Sequence, residues 1–211
     1  MLGTRGVRLA IIREQLYRMQ TRALIGALVD VAEAGKKPNA DIMVPLVSEV
    51  NELNLVRSWI EEEIASVENE LRPSIGTMIE TPRAAITAES IANKADFFSF
   101  GTNDLTQLLF GFSRDDIESR VISVYVKEGI LSANPFETLD TQGVGHAIRH
   151  AIENGRKTNP ELEIGVCGEH GGDPESIRFL FERGVDYVSC SPFRVPIARL
   201  AAAQAVLSLS D

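Results

Sequence analysis

The chain has 211 residues, which at about 150 residues per domain allows one domain or one large α/β unit with a sizeable core. Apolar residues make up 44% and charged residues 24%, with 16 Gly and 9 Pro scattered as punctuation, so fibrous, low-complexity and disordered classes are excluded. Against 21 Lys and Arg stand 30 Asp and Glu, and the net charge of −9 repels a phosphate backbone, so no nucleic-acid partner is expected.

A first helix is predicted over residues 7–34, closing at Gly35. A short apolar run, DIMVPLV, reads as a strand over 41–47. Next comes the clearest helix, about 49–71, where Leu53, Val56, Ile60, Ile64, Val67 and Leu71 recur at three- and four-residue steps; Glu61, Glu62 and Glu63 lie on its solvated face. Further strands are predicted at 75–80, 97–102, 164–167 and 187–190. Thr81-Pro82, Asp173-Pro174 and Ser191-Pro192 each set a capping oxygen before a proline at the first helical position. Gly155 and Gly184 serve as stops for helices over 144–154 and after Pro174, and a last helix covers 192–207. The interval 104–163 is the longest between strands and holds an irregular stretch.

The five strands are continuous rather than alternating, as expected of parallel strands, and helices fill the gaps. The class is therefore α/β, and doubly wound sheet and (β/α)8 barrel both suit the rhythm. Five strands are too few to close an eight-stranded barrel, and the chain opens on a helix without its strand. The expectation is the later part of a TIM-type barrel, residues 1–211 forming one partial domain.

No stretch reaches the roughly 18 uncharged apolar residues of a membrane span, and Arg8 and Arg13 interrupt the apolar start, so neither anchor nor signal peptide is expected. Cys167 and Cys190 lack CxxC spacing, and His146, His150 and His170 lack metal-ligand spacing. A disulfide framework and zinc chemistry are poorly supported, and a reducing, cytoplasmic setting fits best.

Catalytic groups of parallel α/β folds collect where strands end. Those positions hold Glu80, Gly101-Thr102-Asn103-Asp104 and Cys167-Gly168-Glu169-His170-Gly171-Gly172. Glu80 and Asp104 suit a magnesium ion completed by substrate and water oxygens, although each alone reads equally as a helix-terminus acid; on adjacent strands the metal is favoured. Cys167 is either a nucleophile, a proton donor or an inert buried thiol, and with no His/Asp partner pattern the donor outranks the nucleophile. Cys190 is assigned to the inert class. His170 orients a ligand, or caps or packs locally. Arg5 and Arg114, in loops near this mouth, are candidates to grip carboxylate or phosphate, Arg114 ranking first, although Asp115 and Asp116 could simply pair with it.

The segments MLGTRGVRL, IGTMIETPRAA, FFSFGTNDLTQLLFGFSRDD, VCGEHGGDP and YVSCSPFRVPIARLAAAQA together resemble the phosphoenolpyruvate-binding barrel of the pyruvate phosphate dikinase family, over practically the whole chain. GTNDLTQ alone would also suit a phosphoenolpyruvate synthase or enzyme I of the sugar phosphotransferase system. The resemblance implies an enzyme converting ATP, phosphate and pyruvate to AMP, diphosphate and phosphoenolpyruvate through a phosphohistidine. It implies Glu80 and Asp104 as magnesium ligands, Gly101, Thr102 and Asn103 as a substrate-binding loop, and Cys167 as proton donor to the pyruvate enolate. Arg5 and Arg114 match positions around the phosphate. It also implies a homodimer formed through the barrel domain. ATP-grasp and phosphohistidine domains have no counterpart in these residues, so the expectation is a piece of a longer chain, inactive by itself and partnered by the phosphohistidine domain. Two other readings stay open: a magnesium-dependent lyase or aldolase acting on a pyruvate enolate, and a non-catalytic association module.

Overall fold

The structure, a computed structural model, describes residues 1–67 and 72–208. Five parallel strands lie in the order β1 (Asp41–Val44), β2 (Ser74–Ile79), β3 (Phe97–Gly101), β4 (Glu163–Cys167) and β5 (Tyr187–Val188). Each strand pairs with the one before it. A doubly wound sheet must reverse direction at a switch point; a chain that steps always the same way keeps its right-handed crossovers on one face, as a barrel does.

Residue alternation divides the two faces. Val44, Ile75, Ile79, Phe98, Phe100, Ile164 and Val166 are buried in one core with Leu53, Ile60, Ile91, Leu105 and Ile148 of the helices. On the opposite face the register sets Met78, Ser99, Gly165 and Tyr187 in one row, and Gly101 beside Cys167 in the next. Asp41 on one edge strand is near enough to Tyr187 on the other for its charge to help raise the Tyr187 pKa, after burial and Glu163.

The first predicted helix is two. α1 (Val7–Ile12) and α2 (Glu14–Glu33) break at Arg13, whose backbone leaves the helical region at φ −133°. Gly35 follows at φ +75°, the left-handed stop expected of it. α3 (Val50–Ala65) is opened by Glu49, which forms a capping box with Glu52. It ends short of the predicted limit, and Leu71 lies outside the described residues. Glu63 is a correction: it is 8% exposed, not solvated, because Arg18 and Arg22 of α2 reach it at 3.1 and 2.9 Å. Arg18 also bonds Glu14 and Glu62 and lies over Trp59, so it ties α2 to α3.

Thr81 caps α4 (Pro82–Ile86) through the Ala84 N–H, which precedes α5 (Ala88–Ala92). After β3 come α6 (Thr102–Phe110), α7 (Arg114–Ile117), a π-turn over Glu118–Ile122 and α8 (Ser123–Lys127). α9 (Val144–Thr158) runs through Gly155, which is no stop: it packs against Phe98 and Leu162, where a Cβ would lie 2.9 Å from Leu162 Cδ2. Asp173 caps α10 (Pro174–Glu182) through the Ser176 N–H, and Gly184 turns at φ +74°. Ser191 makes no side-chain cap; Pro192 opens a 3-10 turn and then α11 (Val195–Ser208).

The strand beginnings carry a repeated clamp. Asp96, just before β3, accepts from Ile75 N at 2.7 Å and from Arg57, which also reaches the carbonyls of Ile75 and Lys94. Asp186, just before β5, likewise accepts from Ile164 N at 2.7 Å and from Arg156, which reaches the Gly184 carbonyl.

Candidate active site at the strand ends

Gly101 and Cys167 are partners across β3 and β4, and Glu80 follows Ile79, the partner of Phe100. Glu80, Gly101 and Cys167 therefore form one row at the carboxyl end of the sheet. The missing side chain of Gly101 makes that row possible: a Cβ there would stand 2.7 Å from Glu80 Oε2, Glu80 Cβ and Met78 Sδ. Asp104 sits in the first turn of α6, which starts directly from Gly101.

Glu80 is 5% exposed and serves no helix cap, since Thr81 takes that role. One oxygen accepts the N–H of Leu46 at 2.7 Å. Burial, the foremost cause, pushes its pKa up to about 7; the Leu46 bond and Arg5 oppose this, while the charge of Asp104 and a hydrogen bond with it add to the rise. A divalent cation between the two carboxyls would relieve the repulsion that Asp104 exerts on Glu80. Hard oxygen donors suit magnesium. Among the described residues no group of three or more His, Cys, Asp or Glu gathers for a metal, so a cation here would draw its remaining ligands from substrate and water.

The Cys167 thiol is half-buried, 3.6 Å from the Phe100 carbonyl. Burial raises its pKa, a hydrogen bond from Ser99 opposes this, and the charges of Glu80 and Asp104 raise it further. A thiol kept protonated beside acidic groups is suited to donating a proton rather than to attacking as a thiolate. Ser99 also hydrogen-bonds Tyr187, whose ring covers Gly165.

Thr102 and Asn103 are clasped from the β4 side. Gly168, at φ +112°, passes so close that a Cβ would lie 2.9 Å from Thr102 Oγ1 and 3.0 Å from Asn103 Oδ1, and Glu169 N donates to Asn103 Oδ1 at 3.3 Å. The Thr102 hydroxyl lies 3.2 Å from the Cys167 carbonyl and 2.7 Å from His170 Nδ1.

Arg114 heads α7 and pairs with Glu118 at 2.9 Å, not with Asp115 or Asp116, and its guanidinium lies over Phe136. Gln107, unnoticed in the sequence, connects it to the carboxylates: its amide donates to Asp104 Oδ1 at 3.3 Å and accepts Arg114 N at 2.9 Å. Arg5 is exposed on the entry to α1 and reaches the site through its charge on Glu80. Cys190 is half-buried: it packs against the small apolar cluster of Ile177, Ala198 and Ala201 and also lines a cleft of about 250 Å³ with Gly168, Glu169 and Arg194. The structure therefore brings Glu80, Asp104, Cys167, Gly101, Thr102 and Asn103 together, with Arg5 and Arg114 at the margin. Leu46, Ser99 and Gln107 were missed because their roles depend on long-range pairing.

Residues 1–207 match the family described as PEP-utilising enzyme, PEP-binding domain. The chain is 53% identical over 210 residues to a chloroplastic pyruvate, phosphate dikinase of Mesembryanthemum crystallinum, covering 98% of this chain and 22% of that protein. It is 51% identical over 213 residues to the pyruvate, phosphate dikinase of Clostridium symbiosum, covering 99% of this chain and 24% of that one. The chain thus spans under a quarter of the length of these relatives. Among solved structures, a citrate lyase from Burkholderia xenovorans superposes with a TM-score of 0.59 at 16% identity, over 88% of this chain and 53% of that one; this likeness is one of fold. Among the described residues no helix is long and apolar enough to cross a membrane.

Proposed function

Because the chain belongs to the PEP-utilising enzymes through their PEP-binding domain, we propose that it binds phosphoenolpyruvate and pyruvate and exchanges a phosphoryl group with a phosphohistidine carried elsewhere in a longer pyruvate phosphate dikinase. The observation that carries this is the row of Glu80, Gly101 and Cys167 at the strand ends, with Asp104 in the first turn of α6 close enough for its charge to act on both Glu80 and Cys167.

Each residue has a chemical task. Glu80 and Asp104 hold magnesium, which when bound stabilises negative charge on the enolate oxygen. The backbone N–H groups opening α6 at Thr102 and Asn103 face no intrahelical partner and suit the substrate carboxylate. As the P–O bond of phosphoenolpyruvate breaks and a P–N bond forms on the histidine, the electron pair stays on the enolate. The Cys167 thiol then protonates its terminal carbon to give pyruvate, and is reprotonated before the next turnover. Arg114 and Arg5 bring positive charge to the phosphate side. The whole enzyme's nucleotide half-reaction, its homodimer formed through this domain and its cytoplasmic setting belong to the same proposal.

The test uses the complete enzyme and follows its two half-reactions with isotope-labelled phosphate. Asp104→Ala is expected to abolish the exchange between phosphoenolpyruvate and the histidine, on the order of a thousandfold, and to spare the step that consumes ATP. Cys167→Ala should still transfer the phosphoryl group but release pyruvate slowly. Near-normal rates for both variants in both half-reactions would sink the reading.

A further inference from the structure

His170 is fully buried at the start of the turn Glu169–Gly172, where the sequence suggested only a ligand-orienting or packing residue. Its two ring nitrogens reach two different segments. Nε2 lies 2.9 Å from the carbonyl of Pro135, and Nδ1 lies 2.7 Å from the hydroxyl of Thr102, 68 positions away in the chain. A carbonyl only accepts, so Nε2 carries the hydrogen. Nδ1 of the neutral ring then accepts, and the Thr102 hydroxyl donates to it in preference to the more distant Cys167 carbonyl.

Each contact continues into the site. Thr102 opens α6, two positions before Asp104, and touches the backbone of the thiol-bearing Cys167. Pro135 precedes Phe136, the fully buried ring beneath the Arg114 guanidinium, and Asn134 bonds Glu118, the partner of Arg114. One buried imidazole therefore joins the loop after Cys167, the turn before Asp104 and the arm bearing Arg114.

We propose that His170 is a positioning residue that sets these three elements in register around the substrate, without touching it. The proposal rests on the function argued above. Burial keeps the ring neutral, lowering its pKa; Asp173, Glu169 and Arg114 are the charged groups that face it, the first two opposing that shift and Arg114 adding to it.

Two conservative replacements separate the contacts in the complete enzyme: His170→Asn sets an amide where Nδ1 stands, and His170→Gln sets one where Nε2 stands. The expected result is a split. His170→Gln keeps the Pro135 bond, loses the hold on Thr102 and lowers kcat of the phosphoenolpyruvate half-reaction about tenfold; His170→Asn keeps kcat within about threefold and raises KM for phosphoenolpyruvate through the loosened Arg114 arm. The ATP half-reaction and the melting temperature serve as controls and should stay near wild type. Unaltered kcat and KM in both variants would overturn the proposal, as would a parallel loss of both half-reactions with melting temperature, or failure of either variant to fold, which would make His170 a core residue. If Asp104→Ala and Cys167→Ala abolish their steps while the His170 variants behave as wild type, only the positioning role fails. If the former two remain active, the functional reading itself fails.

Discussion

The N–H of Leu46 points at the Glu80 carboxylate because Leu46 holds a left-handed backbone, φ 59°, rare for a branched residue. Its apolar side chain is buried and packs beneath Gly6, so surrounding structure holds the conformation. One strained peptide thereby aims a dipole at the most desolvated carboxylate of the site.

That carboxylate gives stability a definite pH dependence. Glu80 has a folded pKa raised from 4.5 to about 7, so its folded form binds the proton more tightly than the unfolded form does. Stability is then lost as pH rises from about 4.5 to 7, and the cost persists above, at most about 3.5 kcal/mol. Glu80→Gln, which keeps an oxygen for Leu46 N–H, should raise the metal-free melting temperature at pH 8 and leave it little changed at pH 4. Denaturation across pH with a chelator present checks this; equal melting temperatures at pH 8 would refute it.

Gly101→Ala should damage the site through geometry alone. Gly101 has an ordinary φ of −81°, so any residue could adopt its backbone, but the methyl group would enter the space of Glu80 and Met78. Overpacking of this kind costs about 1–3 kcal/mol. Magnesium affinity, followed by calorimetry on the complete enzyme, should fall by more than the stability loss accounts for. Unchanged affinity would separate Gly101 from the metal site.

The clamps at the strand beginnings should affect stability and spare chemistry. Asp186→Ala leaves the Ile164 N–H without its acceptor and Arg156 with the Gly184 carbonyl alone, a cost of about 1–3 kcal/mol. Because Asp186 stands at the opposite end of β4 and β5 from Cys167, kcat at a temperature where the enzyme is folded should stay near normal. A large fall in kcat with stability intact would contradict this division.

By itself the 211-residue chain should associate and lack dikinase turnover. Phe193 is 93% exposed, Leu200 61% and Leu207 67%, all on or just before α11, and β1 and β5 have each only one strand partner among the described residues. Light scattering should report a mass rising with concentration, reduced by Phe193→Ser with Leu200→Ser. A monodisperse monomer, or phosphoenolpyruvate formed from ATP, phosphate and pyruvate, would contradict the respective half of this expectation. Magnesium-dependent cleavage of a 2-oxo acid such as oxaloacetate would point instead to the lyase reading.

What could be read from the sequence was what local chemistry determines. Thr81 and Asp173 are caps because hydroxyl and carboxylate reach N–H groups three residues on, and Gly35 and Gly184 are stops because φ is positive there. Glu80, Asp104 and Cys167 could be placed because strand ends converge. Gly155 was misread because its need for no side chain arises from Phe98 and Leu162, distant in sequence. Glu63 looked solvated because its arginines come from another helix. Gln107 gave no local signal, and His170 stood out only by its place after a strand end, since each acts through a partner that only the folded chain brings near.

The strand order also has a kinetic side. Each strand pairs with the one made just before it, so during synthesis every arriving strand meets a template already in place, with no strand waiting for a later insertion between neighbours. The slowest addition should be β4, because the long interval after β3 must be threaded before Gly101 can meet Cys167. The row of Glu80, Gly101 and Cys167 is thereby completed by the pairing that takes longest to arrive, and a stalled ribosome would leave Glu80 and Asp104 in place without Cys167.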